Sequence, residues 1–276
     1  MLGNYIYSGD VQTNSQTPRK VENAVRRFLF LAVVFIGGGL IWILCISPCM
    51  VPIKAEVKSF PGLSKAEVLN IAGLNSGPAY ISVNATEVEW LLSRYHLVES
   101  AKVVKRFPDR ISIFLEPRKA VAVILAGING RIMPVYFDRY GVAFKTGDGT
   151  GEAPLSSLPV ISGIFPENQP LRLGMRLSSA YLPFFARIGA ISDEDPKIWQ
   201  AISEIGIVKK NNDVFDIILF PVHDSIRLRM SSDITKDNIY YALLMSDVCH
   251  RMDNAPSEID VRSGLGVMVK EARFGN

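Results

Sequence analysis

The chain has 276 residues, 48% of them apolar, with 30 Lys and Arg against 27 Asp and Glu for a formal charge of +3. The first 53 residues carry four Lys/Arg and two Asp/Glu, which leaves only +1 on the rest, so no global basic field argues for nucleic acid. Two of the three cysteines stand together at 45 and 49 and the third follows at 249, which is not a disulfide framework.

Residues 1–27 are polar and are expected to form a disordered cytoplasmic tail. The run FLFLAVVFIGGGLIWILCI at 28–46 then changes the solvent for which the chain is built. Thirteen of its 19 residues are Phe, Leu, Ile or Val, and no charge occurs from Phe28 to Ile53. At about 1.5 Å per residue the run matches the roughly 30 Å of bilayer hydrocarbon. A transmembrane helix is expected over 28–47, anchored in lipid by Phe28, Leu31, Phe35, Leu40, Trp42, Leu44 and Ile46. A cleaved signal is the rival reading, but its apolar region normally covers about 7–15 residues before a small-x-small site. Arg19, Lys20, Arg26 and Arg27 before the span, against Lys54 and Lys58 after it, favour a cytoplasmic N-terminus. Cys45 and Cys49 follow Trp-Ile-Leu and Ile-Ser-Pro, without the small residues that a lipidation site needs.

From Ile53 the pattern becomes that of a folded domain, and about 220 residues remain for one large or two small cores. Ala55, Val57 and Ser59 alternate with Glu56, Lys58 and Phe60 as a strand that Pro61-Gly62 ends. Ser64-Lys65-Ala66-Glu67 is a capping box, and Gly73 is placed to stop the helix it starts. Asn84 to Glu87 repeats the cap, followed by Val88, Leu91, Leu92 and Tyr95 on one helical stripe. Two strands, around 101–106 and 111–115, turn at Pro108-Asp109 and complete a β-α-α-β-β unit. Such a unit leaves an edge strand able to pair with an incoming chain.

These residues carry a family resemblance. VKSFPGLS at 57–64, the helix ending in Ala72-Gly73, and LVESAKVVKRFPDRISIFLEPR at 97–118 resemble the POTRA domain of the FtsQ/DivIB family of bacterial cell-division proteins. The family commonly has a proline between the Glu and a following Val-Ala pair; here Pro117 comes early and Ala120 precedes Val121-Ala122.

Beyond 118, Val121–Leu125 and Ile132–Phe137 are expected to form strands joined by a hairpin at Asn129-Gly130. Phe137-Asp138-x-x-Gly141-Val-x-Phe144 and Leu158-Pro159-x-Ile161-x-Gly163 are similar to the family's second domain. Gly147–Gly151 is a Gly-rich connection with no following Lys-Ser/Thr to bind phosphate. Ser178–Ile191 is helix-like despite Pro183, and Asp193-Glu194-Asp195-Pro196 has the signature of another helix start running towards Ile202. Ile205–Lys209, Val214–Phe220 and Ser225–Met230 follow as antiparallel strands, the first two joined at Asn211-Asn212. A helix over 235–252 has the stripe Ile239, Ala242, Met245, Cys249 and Met252. Ile259–Arg262 and Gly266–Val269 resemble the family's closing strands. The expected fold is α+β: cytoplasmic tail at 1–27, transmembrane helix at 28–47, POTRA domain at 53–118, and a second α+β domain with an antiparallel sheet at 119–276.

Catalytic signatures are missing from the sequence. His96, His223 and His250 lack metal-ligand spacing, and no GxSxG or SxxK occurs. Cys249 and His250 are helix neighbours that point about 100° apart, which suits a buried thiol better than a nucleophile and its base. Asp193 and Asp195 are expected to be helix-start carboxylates. No catalytic residue, cofactor, metal, small-molecule substrate or nucleic-acid partner is therefore expected.

The resemblance implies a non-enzymatic scaffold of the inner membrane, placed at the division septum with its bulk in the periplasm, and contacting other division proteins through its POTRA domain. Its second domain would capture FtsB/FtsL-type single-pass partners. The C-terminal stretch Ser263, Gly264, Leu265, Gly266, Val267, Met268 and Val269 has no charge and no proline, so as a strand it lacks what normally blunts a sheet edge. The alternative is an internal strand paired on both sides. The other function classes are a POTRA-type chaperone of exported or outer-membrane proteins, whose known versions carry a barrel or tandem POTRA units, and a wall enzyme.

Overall fold

The computed structural model describes residues 17–128, 131–147, 158–165, 171–211, 214–252 and 255–269. The expected turns at Asn129-Gly130, most of Gly147–Gly151 and Asn212, with tail residues 1–16, lie outside them.

Helix α1 (Thr17–Ile41) continues through a π turn (Trp42–Ile46) and a 3₁₀ turn (Ser47–Met50). Over Glu22–Leu44 it is long and apolar enough to cross a membrane, and it is not buried in protein. The anchor side chains Phe28, Leu31, Phe35, Leu40, Trp42 and Leu44 are all exposed, while that of Ile46 is outside the described set. The helix begins inside the stretch expected to be disordered. Arg19, Lys20, Glu22, Ala24, Arg26 and Arg27 are good helix formers, and extending a helix already nucleated in the apolar run costs little.

The β-α-α-β-β unit comprises β1 (Lys54–Lys58), α2 (Lys65–Ile71), α3 (Ala85–Ser93), β2 (Val98–Arg106) and β3 (Arg110–Pro117). The strand order is β1-β3-β2, with β1 parallel and β2 antiparallel to β3. Local chemistry sets the helix starts. The Ser64 amide donates to Glu67 Oε2 at 2.8 Å while the Glu67 amide donates to Ser64 Oγ at 3.3 Å, and the Thr86 amide donates to Asn84 Oδ1 at 3.2 Å. Val88 and Leu92 of α3 are buried in one cluster with Val103, Ile111 and Ile113 of the sheet.

Among the described residues the second sheet has nine strands in the order β12-β11-β10-β9-β8-β7-β4-β5-β6. These are β4 (Ala122–Ile128), β5 (Arg131–Phe137), β6 (Ala143–Thr146), β7 (Val160–Ser162), β8 (Ile202–Asn211), β9 (Val214–Pro221), β10 (Arg227–Ser231), β11 (Glu258–Asp260) and β12 (Val267–Val269). Its helices are α4 (Leu182–Glu194), α5 (Pro196–Gln200) and α6 (Lys236–His250). The hairpin-linked strands are antiparallel as expected, but β4–β7, β7–β8 and β10–β11 are parallel. Helical crossovers explain two of these: α4 and α5 separate β7 from β8, and α6 separates β10 from β11. The helices bury Phe184, Phe185, Ile188, Trp199, Ile239 and Ala242 against Ile205, Ile217, Leu228 and Ile259 of the sheet.

Three local expectations change. Pro183 falls in the first turn of α4, where its missing N–H is harmless, so it sets the helix start and does not kink it. Asp193 and Glu194 end α4; only Asp195 starts α5, its side chain accepting from the amides of Lys197 and Ile198. Asp193 pairs with Arg139. In α6, Ser246 takes a buried position, whereas Met252 lies past the helix end and is exposed.

Gly163 follows β7 at φ +83°, and a Cβ there would sit 2.4 Å from the Ile207 carbonyl oxygen of β8. Both the backbone conformation and the close approach exclude a side chain. Gly163→Ala is expected to destabilise the protein by about 2–4 kcal/mol, read as a lower midpoint in denaturant unfolding.

Candidate functional site

The chain reaches its last strand by a tight route. After β11 the Gly264 amide donates to the Val261 carbonyl at 3.1 Å, and Gly264 takes φ +77°, which turns the backbone back on itself. β12 then pairs antiparallel with β11, in register Glu258↔Val269, Ile259↔Met268 and Asp260↔Val267. The strand is shorter than the expected 263–269. Ser263, Gly264, Leu265 and Gly266 form the turn, and only Val267, Met268 and Val269 are extended. Absence of charge marked the segment, but the two glycines decide where the strand can begin.

β12 stands last in the strand order and pairs only with β11 among the described residues. Val267, Met268 and Val269 are 54%, 44% and 42% exposed. Alternation along the strand puts Met268 on the side of buried Ile259 and α6, and Val267 and Val269 on the side of Asp260 and Glu258. A guanidinium secures that second side. Arg262 donates from Nη1 to Asp216 Oδ2 of β9 at 2.6 Å and from Nε to both Asp260 oxygens at 2.9 and 3.0 Å. Lys210 Nζ lies 2.8 Å from the same nearly buried Asp216 carboxylate, and Arg229 pairs with Glu258. Hydrogen bonds from Arg262 hold the Asp260 carboxyl below the usual carboxylate range. The clamp fixes the base of the turn that presents β12. Sequence reasoning missed it because Asp216 and Arg262 are 46 positions apart and no local pattern links them.

The other sheet edges are guarded in different ways. On β2, Glu89 of α3 accepts the Val103 amide at 2.7 Å, and Lys105 Nζ reaches back to the Val83 carbonyl. β1 is five residues long with Lys54, Glu56 and Lys58 exposed. β6 is covered where Ala143 donates to the Met175 carbonyl and accepts from the Gly174 amide. An edge strand of this unit was expected to be available: β2 is plugged at its middle by a carboxylate, and among the described residues β1 pairs only with β3 and leaves its outer side unpaired.

A junction joins the two sheets. Arg118, just after β3, donates from Nη1 to Asp138 and from Nε to the His96 carbonyl at 3.0 Å. Asp138 is fully buried, and its other oxygen accepts the amides of Tyr140 and Val142 at 3.0 and 2.8 Å. This is the structural content of the Phe137-Asp138-x-x-Gly141 motif. Gly141 completes the turn at φ +69°, with Leu182 Cδ2 only 2.8 Å from where a Cβ would be. Burial and then the charge of Arg118 push the His96 imidazole below its ordinary range.

A further polar cluster joins Asp224, Ser246 and His250. Asp224 accepts from the Ser246 hydroxyl at 2.5 Å and lies 3.3 Å from His250 Nδ1, so the carboxylate stands between hydroxyl and imidazole. Ser246 is buried against it, so the hydroxyl is not presented at the surface. Cys249 is a buried free thiol. His223 is outside this cluster, and among the described residues no group of three or more His, Cys, Asp or Glu could hold a metal ion.

Residues 56–118 match the family model described as POTRA domain, FtsQ-type. An alignment of 144 residues is 26% identical to the Cell division protein FtsQ of Myxococcus fulvus, covering 46% of this chain and 46% of that protein. The match thus spans about half the length of the curated relative. The two findings together support the FtsQ/DivIB family.

Proposed function

On that family footing, we propose that this chain is a single-pass membrane scaffold of bacterial cell division. α1 anchors it in the inner membrane with the N-terminus cytoplasmic, and residues 53–118 and 119–276 form the extracytoplasmic POTRA and β domains at the septum. It captures FtsB/FtsL-type single-pass partners and links early division proteins to septal wall synthesis, with no enzymatic step of its own. The observation that carries this reading is the edge of β12, uncovered among the described residues, whose exposed Val267, Met268 and Val269 can accept a strand through main-chain hydrogen bonds. Residues directly opposite Val267 and Val269 on an added strand meet those two exposed valines, so the proposed partner strand carries apolar or β-branched side chains on that face.

The test is a pull-down of the full-length protein from dividing cells beside a version ending at Arg262, which keeps the clamp and removes β12. Small single-pass coiled-coil division proteins are expected with the full chain and are expected to vanish with the truncation. Capture that survives truncation moves the site elsewhere. Recovery of outer-membrane precursors in their place favours a chaperone of exported proteins.

A further inference from the structure

An unusual number of apolar side chains gathers at one end of the first sheet. Ile81 is 75% exposed and Phe107 62%, and the Phe107 ring meets that of Tyr80 edge-on with centroids 6.4 Å apart. Tyr80 and Ile81 lie on the 3₁₀ turn before α3, while Phe107 tips the β2–β3 hairpin. Exposed apolar residues scattered singly need no explanation, but these belong to separate loops brought to one place.

That place is where the chain leaves the membrane. The Ile53 amide donates to the Pro78 carbonyl at 3.1 Å, the Lys54 amide donates to the Asp109 carbonyl at 2.8 Å, and Pro52 bridges to Ala79. Both apolar loops are therefore pinned beside residues 52–54. The uncharged run from Phe28 ends only at Lys54, the first residue of β1, and Met50 and Val51 between are exposed. From Ile46 to Pro52 the path is a 3₁₀ turn, at about 2 Å per residue, and two further residues, so it reaches roughly 15 Å at most. Headgroups occupy about 5–7 Å on each side of the hydrocarbon, so the exposed side chains at 81 and 107, pinned beside residues 52–54, are within reach of that layer. Charge agrees with this. Lys54, Lys105, Arg106 and Arg110 outnumber Asp109 and Glu56 at this end, and Lys105 Nζ sits 4.5 Å over the Tyr80 ring.

We infer that the membrane-proximal end of the first sheet, tipped by Tyr80, Ile81 and Phe107 and ringed by Lys54, Lys105, Arg106 and Arg110, docks into the phospholipid interface of the bilayer that α1 crosses. An aromatic ring with a cation above it suits the boundary between acyl chains and anionic headgroups. The docked face holds the sheet at a fixed height and tilt, where a flexible tether alone would let it swing. The inference rests on the membrane-anchored reading above.

The experiment uses the full chain in nanodiscs of phosphatidylethanolamine and phosphatidylglycerol, with Cys45→Ser and Cys49→Ser and with Cys249 left in its buried site. Spin labels are placed singly at Ile81→Cys, Phe107→Cys, Leu40→Cys in the span and Lys65→Cys beyond the far end of β1. Accessibility to oxygen and to a water-soluble nickel chelate is then compared. Labels at 81 and 107 are expected to favour oxygen over the chelate to a degree between those at 40 and 65. If 81 and 107 read as aqueous as 65 while 40 reads as lipid, the docking inference is overturned and the anchor stands. An aqueous reading at 40 removes the anchor, and the docking falls with it.

Discussion

Val267→Pro is expected to abolish partner capture while leaving the domain folded. Proline has no N–H and fixes φ near −65°, so it is excluded from a strand paired on both sides. N–H groups of successive strand residues point in opposite directions, which makes Met268→Pro the natural companion variant. One substitution removes a donor that an added strand needs, and the other removes a donor that β12 gives to β11. Both are expected to lose the pull-down. Stability should change little, because all three strand residues are exposed and the buried core of the sheet begins at Ile259. Pull-down of partners at the wild-type level by either folded variant, verified by an unchanged cooperative melt, would falsify capture by strand addition at β12.

Arg118→Ala is expected to be the most destabilising single substitution at the junction of the two sheets, by about 3–5 kcal/mol, since it strands a fully buried Asp138 carboxylate. It also frees the His96 carbonyl and unties the end of β3 from the turn after β5. Denaturant unfolding measures the loss, and proteolysis between residues 118 and 122 is expected to quicken. The mechanism has its own control. Adding Asp138→Asn removes the charge yet keeps an oxygen to accept the Tyr140 and Val142 amides, so the double variant should recover a large share of the stability. If it recovers none, the loss comes from packing of the guanidinium and not from the stranded charge.

Much of this was legible from residue order, and the reason is locality. The capping box at Ser64–Glu67, the Asn84 cap and the stripe through Val88 and Leu92 depend on neighbours within about one helical turn, so their outcome is written in the sequence. The β2–β3 hairpin and the pairing of Ile128 with Arg131 around Asn129-Gly130 follow for the same reason. What was hidden depends on distance along the chain. The insertion of β7 between β4 and β8 joins Val123 to Val160 and Ile161 to Ile205, which no periodicity reveals. Pairs such as Arg118 with Asp138 and Arg262 with Asp216 look like ordinary surface charges until the fold buries one member of each. The candidate edge was visible because it rests on composition, but its length was overestimated, since Gly264 adopts a conformation that ends a turn before a strand can start.

The plugged edge of β2 has a consequence for stoichiometry. A protein held in a membrane meets its own copies at high local density, and a sheet with two open edges can add copies head to tail without limit. Here the Glu89 carboxylate occupies the Val103 donor, the charged β1 is only five residues long and the 174–175 segment covers β6. Among the described residues that leaves β12 as the uncovered edge of the second sheet, while β1 is unpaired on its outer side and guarded by its charges. With one uncovered edge, the second sheet can terminate a growing sheet but cannot propagate it, and even two copies joined edge to edge there would close on each other and stop.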